Sequence, residues 1–187
     1  MGAQGRSQLA TIPFWLRDIW NGTPSTPFVA LKICHRVEPH VDNIPLPIVY
    51  AAAYVIAHKT HSVPWIHTYR ALRRVARHFS LDVTQEKAQS IECQLLTLLC
   101  WQVPPCEDTV GGKLDALLMF DTEDRRRCVF RLISRVLCND FSPERLALSD
   151  TMLATICITS RSTAEAKAAI FMLGSRALKL MQSQALV

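Results

Sequence analysis

Long apolar runs are missing from this chain. The most apolar stretch, 48–57, is rich in Ala and far shorter than the roughly 20 residues a membrane span needs, so no membrane partner is expected. A secretory leader is not expected either, because the first ten residues hold no apolar core. Gly2 follows Met1, but Arg6 stands where myristoylation wants Ser or Thr. Glycine is scarce, at 6 residues, and its one pair, Gly111-Gly112, sits alone with no phosphate-cradling spacing around it. The cysteines number 7, an odd count, and no two form a CxxC pair. That argues against a disulfide framework and against the common zinc motifs. Period-two alternation is absent, and β-branched residues do not cluster between turn signals, so no strand is expected.

What remains is a nuclear or cytosolic chain of 187 residues, enough to bury a core unaided. Hydrophobic residues make up 49% and charged ones 20%, which excludes a disordered chain. The formal net charge of +5 permits an acidic or phosphate-bearing partner without requiring one. Six of the cysteines, Cys34, Cys93, Cys100, Cys128, Cys138 and Cys157, fall on the apolar faces of the helices read below. In a reducing compartment they serve there as small core hydrophobes.

Helical periodicity recurs along the chain, broken by Pro and Gly. Residues 1–26 read as an irregular segment with one short helical piece, Phe14 through Trp20, stopped by Asn21-Gly22-Thr23-Pro24. A helix over 27–40 puts Val29, Ile33, Cys34 and Val37 on one face. Pro45 and Pro47 start the next, over 47–59, which is apolar nearly all round and therefore buried. Its Ala51, Ala52, Ala53 and Ala57 let neighbours approach closely, as in the central spoke of a bundle. Pro64 opens a helix over 64–79, with Trp65, Tyr69, Leu72, Val75, Ala76 and Phe79 on its apolar face. Thr84 caps a helix over 85–101 whose stripe is Ala88, Ile91, Leu95, Leu98 and Leu99, stopped by Pro104 and Pro105. Residues 104–112 read as a linker. Helices follow over 122–138, from Ser142-Pro143-Glu144 to about 159, and from a Ser162 cap to about 182.

The order and spacing of two segments resemble the cyclin box. Ala53-Tyr54-Val55-Ile56-Ala57-His58-Lys59 is similar to the end of that family's third helix. The run from Ile91-Glu92 through the Leu-rich stretch to Trp101 and Pro104 is similar to its fifth, with room for one helix between Lys59 and Glu92. The resemblance covers 27–104 and implies an all-α fold: a cyclin-like five-helix bundle, then a shortened second cyclin-like helical domain over 113–187. It implies that Lys59 and Glu92 meet at a face that binds a cyclin-dependent or related protein kinase, hydrogen-bonding its αC segment. The chain would then be a regulatory subunit and not an enzyme, with no cofactor. The family's first-helix motif has its nearest counterpart in Leu16-Arg17-Asp18-Ile19-Trp20, followed at once by breakers, so that helix is expected to be short, shifted or missing.

Other chemistry finds less support in the residues. His58, His61 and His67 lie close in sequence without a zinc spacing, and read as solvated histidines at a helix end. No constellation of nucleophile, base and orienting group is present. The rival signal is basic. Arg70, Arg73, Arg74 and Arg77 follow helical spacing on the face opposite the core, with no acid between Lys59 and Leu81. A second basic run holds Arg125, Arg126, Arg127, Arg131 and Arg135. Such a face suits nucleic acid, and cyclin folds also occur in general transcription factors of the IIB type. The same pattern also fits a solvated face, or pairing with Glu107, Asp108, Glu123 or Asp124.

Overall fold

In the computed structural model the chain is all-α, and the described residues, 3–61, 66–139 and 143–184, contain no strand. None of their helices is long and apolar enough to cross a membrane. The chain divides into two compact units, residues 8–111 and residues 112–187 with 1–7. The first extends beyond the expected 27–104 at both ends.

The first unit is built around α3 (Leu46–His61), onto which α2 (Thr26–Val37), α4 (Thr68–His78) and α5 (Gln85–Leu98) pack. Every residue of α3 from Ile48 to His58 is buried. Ala51, Ala52, Ala53 and Ala57 expose nothing, which lets three helices close on one axis. The expected central helix is therefore the buried one. The α2 face of Val29, Ile33, Cys34 and Val37 is likewise buried.

The amino-terminal segment differs from the expectation. It forms α1 (Ala3–Trp20), an 18-residue helix with Pro13 inside it. Leu9, Ile12 and Leu16 recur at helical spacing and are buried with Phe14, whose ring meets Phe28 of α2 edge-on at 5.3 Å. Packing of this apolar face outweighs the interior Pro, which costs on the order of 3 kcal/mol. The breakers act where expected: Asn21 takes a positive φ of 51°, and the chain turns out of α1.

Helices α4 and α5 end alike. Leu81 N–H bonds to the Ala76 carbonyl at 2.8 Å, and Trp101 N–H to that of Leu96 at 2.8 Å, each closing a Schellman turn. The left-handed position holds Ser80 at φ 54° and Cys100 at φ 50° in place of glycine. The expected helix over 85–101 thus stops at Leu98, and Leu98, assigned to the apolar stripe, is exposed. Thr84 does cap α5, accepting the Lys87 N–H at 3.2 Å. Helix α4 begins at Thr68 rather than at Pro64, because His67 is extended. Pro64 and Trp65 lie outside the described residues.

The expected linker is structured. A short 3-10 turn (Cys106–Asp108) leads into α6 (Val110–Leu117). A Cβ on Gly111 would sit 2.5 Å from the Phe28 ring, so only glycine lets α6 begin against α2. In the second unit, α7 (Glu123–Asn139), α8 (Pro143–Leu146), α9 (Asp150–Thr159) and α10 (Thr163–Gln184) enclose Ile133, Val136, Leu153, Cys157 and Ile170. The helix expected from 143 to 159 is broken after α8, because Ser149 caps a new helix by accepting the Met152 N–H. Ser162 caps α10 through the Glu165 N–H.

Candidate partner-binding site

Lys59 lies in the last turn of α3, where the buried helix reaches the rim of the bundle. Glu92 lies on α5 one step from the buried Ile91. The two are 33 residues apart in sequence, yet Lys59 Nζ donates to Glu92 Oε1 at 2.7 Å and to Oε2 at 2.9 Å. A third residue joins them. Thr68, the first residue of α4, accepts from Lys59 Nζ at 2.9 Å and donates to Glu92 Oε2. Helices α3, α4 and α5 are tied at one edge by a closed triangle of charge-assisted hydrogen bonds. The Lys59 and Glu92 side chains keep 23% and 14% of their surface, and Thr68 only 6%.

The arrangement places Glu92 for use. Among the described residues its Oε2 takes two donors, whereas Oε1 takes Lys59 alone, which leaves it able to accept a further N–H. The triangle borders a cleft of about 520 Å³, lined by Ile66, His67, Tyr69, Arg70, Gln85 and Gln89 beside the triangle itself. Lys59 and Arg70 against Glu92 leave the cleft with one net positive charge. Donors and acceptors of this kind fit a peptide backbone better than an apolar ligand.

Sequence reasoning missed Thr68. The signal was present: Thr68, Leu72 and Val75 share one face of α4, and a hydroxyl within a core stripe needs a partner.

The remaining candidates separate. Arg70, Arg73, Arg74 and Arg77 are all exposed, and none makes an ion pair among the described residues. In the other basic run Arg125, Arg126 and Arg127 pair with Asp121, Asp115 and Glu123 at 3.1–3.3 Å. Of the four candidate carboxylates, Glu123 is thus engaged, by an arginine one turn along its own helix. His58 is not the solvated histidine expected. It is fully buried, its Nδ1 3.4 Å from the Tyr54 hydroxyl. His61 contacts the Pro104 carbonyl at 3.2 Å. Among the described residues no group of His, Cys, Asp and Glu could hold a metal ion. No disulfide joins cysteines among the described residues; Cys34, Cys138 and Cys157 are buried, whereas Cys93, Cys100 and Cys128 are exposed, contrary to the core role read for them. Burial pushes the Cys138 and Cys157 thiols up to about 12.

No protein-family model, curated protein or solved structure matches this chain.

Proposed function

We propose that this chain is a binding subunit rather than an enzyme, and that it docks on a protein kinase of the nucleus or cytoplasm through the edge where α3 and α5 converge. The observation that carries this reading is the Lys59–Glu92 pair, formed between helices at the two positions the cyclin-box resemblance singles out. A charged pair with so little exposure is a costly way to stabilise a fold, since apolar residues do as well there. Its use is as an orienting device. Glu92 Oε1 accepts a backbone N–H of the kinase's αC segment, Lys59 and Thr68 hold that carboxylate in place, and the cleft receives the adjoining chain. Partly desolvated hydrogen bonds to charged groups of this kind contribute about 1.5–3 kcal/mol each.

The test is affinity purification of the tagged chain from its native cells, identification of a co-purifying kinase, and reconstitution from the purified pair. Lys59→Ala and Glu92→Ala should each weaken the reconstituted complex by about 2–5 kcal/mol, the cost of leaving one member of a buried charged pair alone. Thermal melting serves as the folding control. Wild-type affinity in both variants would overturn the kinase assignment while leaving the helical fold intact.

A further inference from the structure

The basic row on α4 is not used by the cleft beyond Arg70. Arg70, Arg73, Arg74 and Arg77 run along about 10 Å of exposed helix surface, at 1.5 Å per residue. Two helices of this protein carry arginine runs, and they resolve them differently. On α7, three successive arginines each find a carboxylate nearby. On α4, none of the four does so among the described residues, and no acid occurs between Lys59 and Leu81 to supply one. A row of unneutralised guanidiniums attracts an anion.

The same surface carries aromatic rings. The Arg74 guanidinium lies 5.9 Å from the centre of the Trp15 ring, and that of Arg73 lies 5.5 Å from the Tyr69 ring. The His78 ring is 5.8 Å from Trp15. Trp15 comes from α1, lies beside the last turn of α4 and keeps 36% of its surface exposed. Cations and π faces therefore alternate over a patch where Trp15 of α1 meets Arg74 and His78 of α4. A guanidinium resting against a ring, as those of Arg73 and Arg74 do, has less rotamer freedom to lose when an anion arrives.

We infer that the α1–α4 face around Trp15, Arg73, Arg74 and Arg77 binds single-stranded nucleic acid, with the arginines on phosphates and Trp15 as a stacking platform. Only an unpaired strand offers charge and exposed base faces together. A duplex hides its base faces, and an acidic peptide brings charge without them. Trp15, Arg73, Arg74 and Arg77 are not among the residues that line the Lys59–Glu92 cleft, although Tyr69 and Arg70 border both, and the inference does not rest on kinase binding.

Fluorescence anisotropy with a labelled mixed-sequence strand of about 16 nucleotides, made as RNA and as DNA, tests it. The same sequence as a duplex and a polyglutamate competitor are the comparisons. The full chain should bind the single strand at low ionic strength, more tightly than the duplex, with polyglutamate competing poorly. Arg73→Ala, Arg74→Ala and Arg77→Ala together should flatten the slope of log affinity against log salt by about 2, at about 0.7 for each phosphate no longer neutralised. Trp15→Ala should weaken binding roughly 5- to 150-fold with the slope unchanged, and Trp15→Phe should recover most of that loss. The relative affinities of the RNA and DNA strands identify the natural polymer. No binding at low salt, equal or tighter binding of the duplex or of polyglutamate, or an unchanged slope in the triple arginine variant would each overturn the inference. So would an unaltered affinity in a folded Trp15→Ala protein. The arginine variant changes only exposed side chains, so it decides the matter even if Trp15→Ala fails to fold.

Discussion

Replacing Lys59 by Met and Glu92 by Gln, singly and together, measures what the edge triangle contributes before any partner is present. Exposed ion pairs contribute about 0.2–1 kcal/mol, whereas truncating one member of a fully buried pair costs about 3–5 kcal/mol. With side-chain exposures of 23% and 14%, this pair falls between those limits. Two short bonds from Lys59 and the shared Thr68 hydroxyl place it above the exposed class. Each single substitution should therefore cost about 1.5–3 kcal/mol. The double variant should cost less than the sum, with a coupling of about 1–2 kcal/mol. A domain of about a hundred residues loses about 4–8 °C per kcal/mol, so each single variant should melt roughly 6–24 °C lower. Chemical and thermal denaturation followed by far-ultraviolet circular dichroism gives all three free energies. A coupling below about 0.3 kcal/mol would show that Lys59 and Glu92 behave as independent solvated charges, and would refute a pre-organised docking edge. Thr68→Val provides an internal check, since it keeps the shape and removes the bridging hydroxyl. It should lower stability by about 1 kcal/mol and reduce the Lys59–Glu92 coupling.

Cys100→Gly should stabilise the first unit by about 0.5–1.5 kcal/mol in urea melts, because it relieves a side chain held at φ 50°; a loss of stability would mean that the turn after α5 is misassigned. Gly174→Ala should destabilise the second unit by at least about 2 kcal/mol, because the new methyl would meet the backbone carbonyl of Glu144, which cannot swing aside as a side chain would. Thiol titration should label Cys93, Cys100 and Cys128 first and leave Cys138 and Cys157 protected until unfolding. The buried pair also sets a pH dependence. Cys138 and Cys157 hold their protons up to about 12 in the folded state, against an ordinary value of 9.0. Above 9.0 the unfolded chain releases protons that the folded chain keeps, so stability present below that pH should fall as pH rises toward 12. A Cys138→Ala, Cys157→Ala double variant should show a shallower alkaline decline in stability.

Periodicity and punctuation determined much of this protein in advance. The all-α class, the burial of the α3 helix and the Thr84 and Ser162 caps follow from local rules, because a side chain's face and a cap's reach are set within a turn or two of backbone. Lys59 and Glu92 were singled out by the cyclin-box resemblance; each also borders an apolar stripe, where a charge needs a partner or solvent. What local pattern did not reveal depends on residues far apart in the chain. The α1 helix survives Pro13 because Phe14 finds Phe28. Gly111 lies within a helix, not a linker, because that same ring leaves no room for a Cβ. His58 is buried beside Tyr54, although its sequence neighbours Lys59 and Thr60 suggest a solvated helix end. The two arginine runs read alike as sequence, and only the folded chain shows that Arg125, Arg126 and Arg127 meet carboxylates while, among the described residues, the arginines of α4 do not. Thr68 joins the Lys59–Glu92 pair only once three helices meet, since a hydroxyl's partner is decided by what packs against it and not by its place in a periodic pattern.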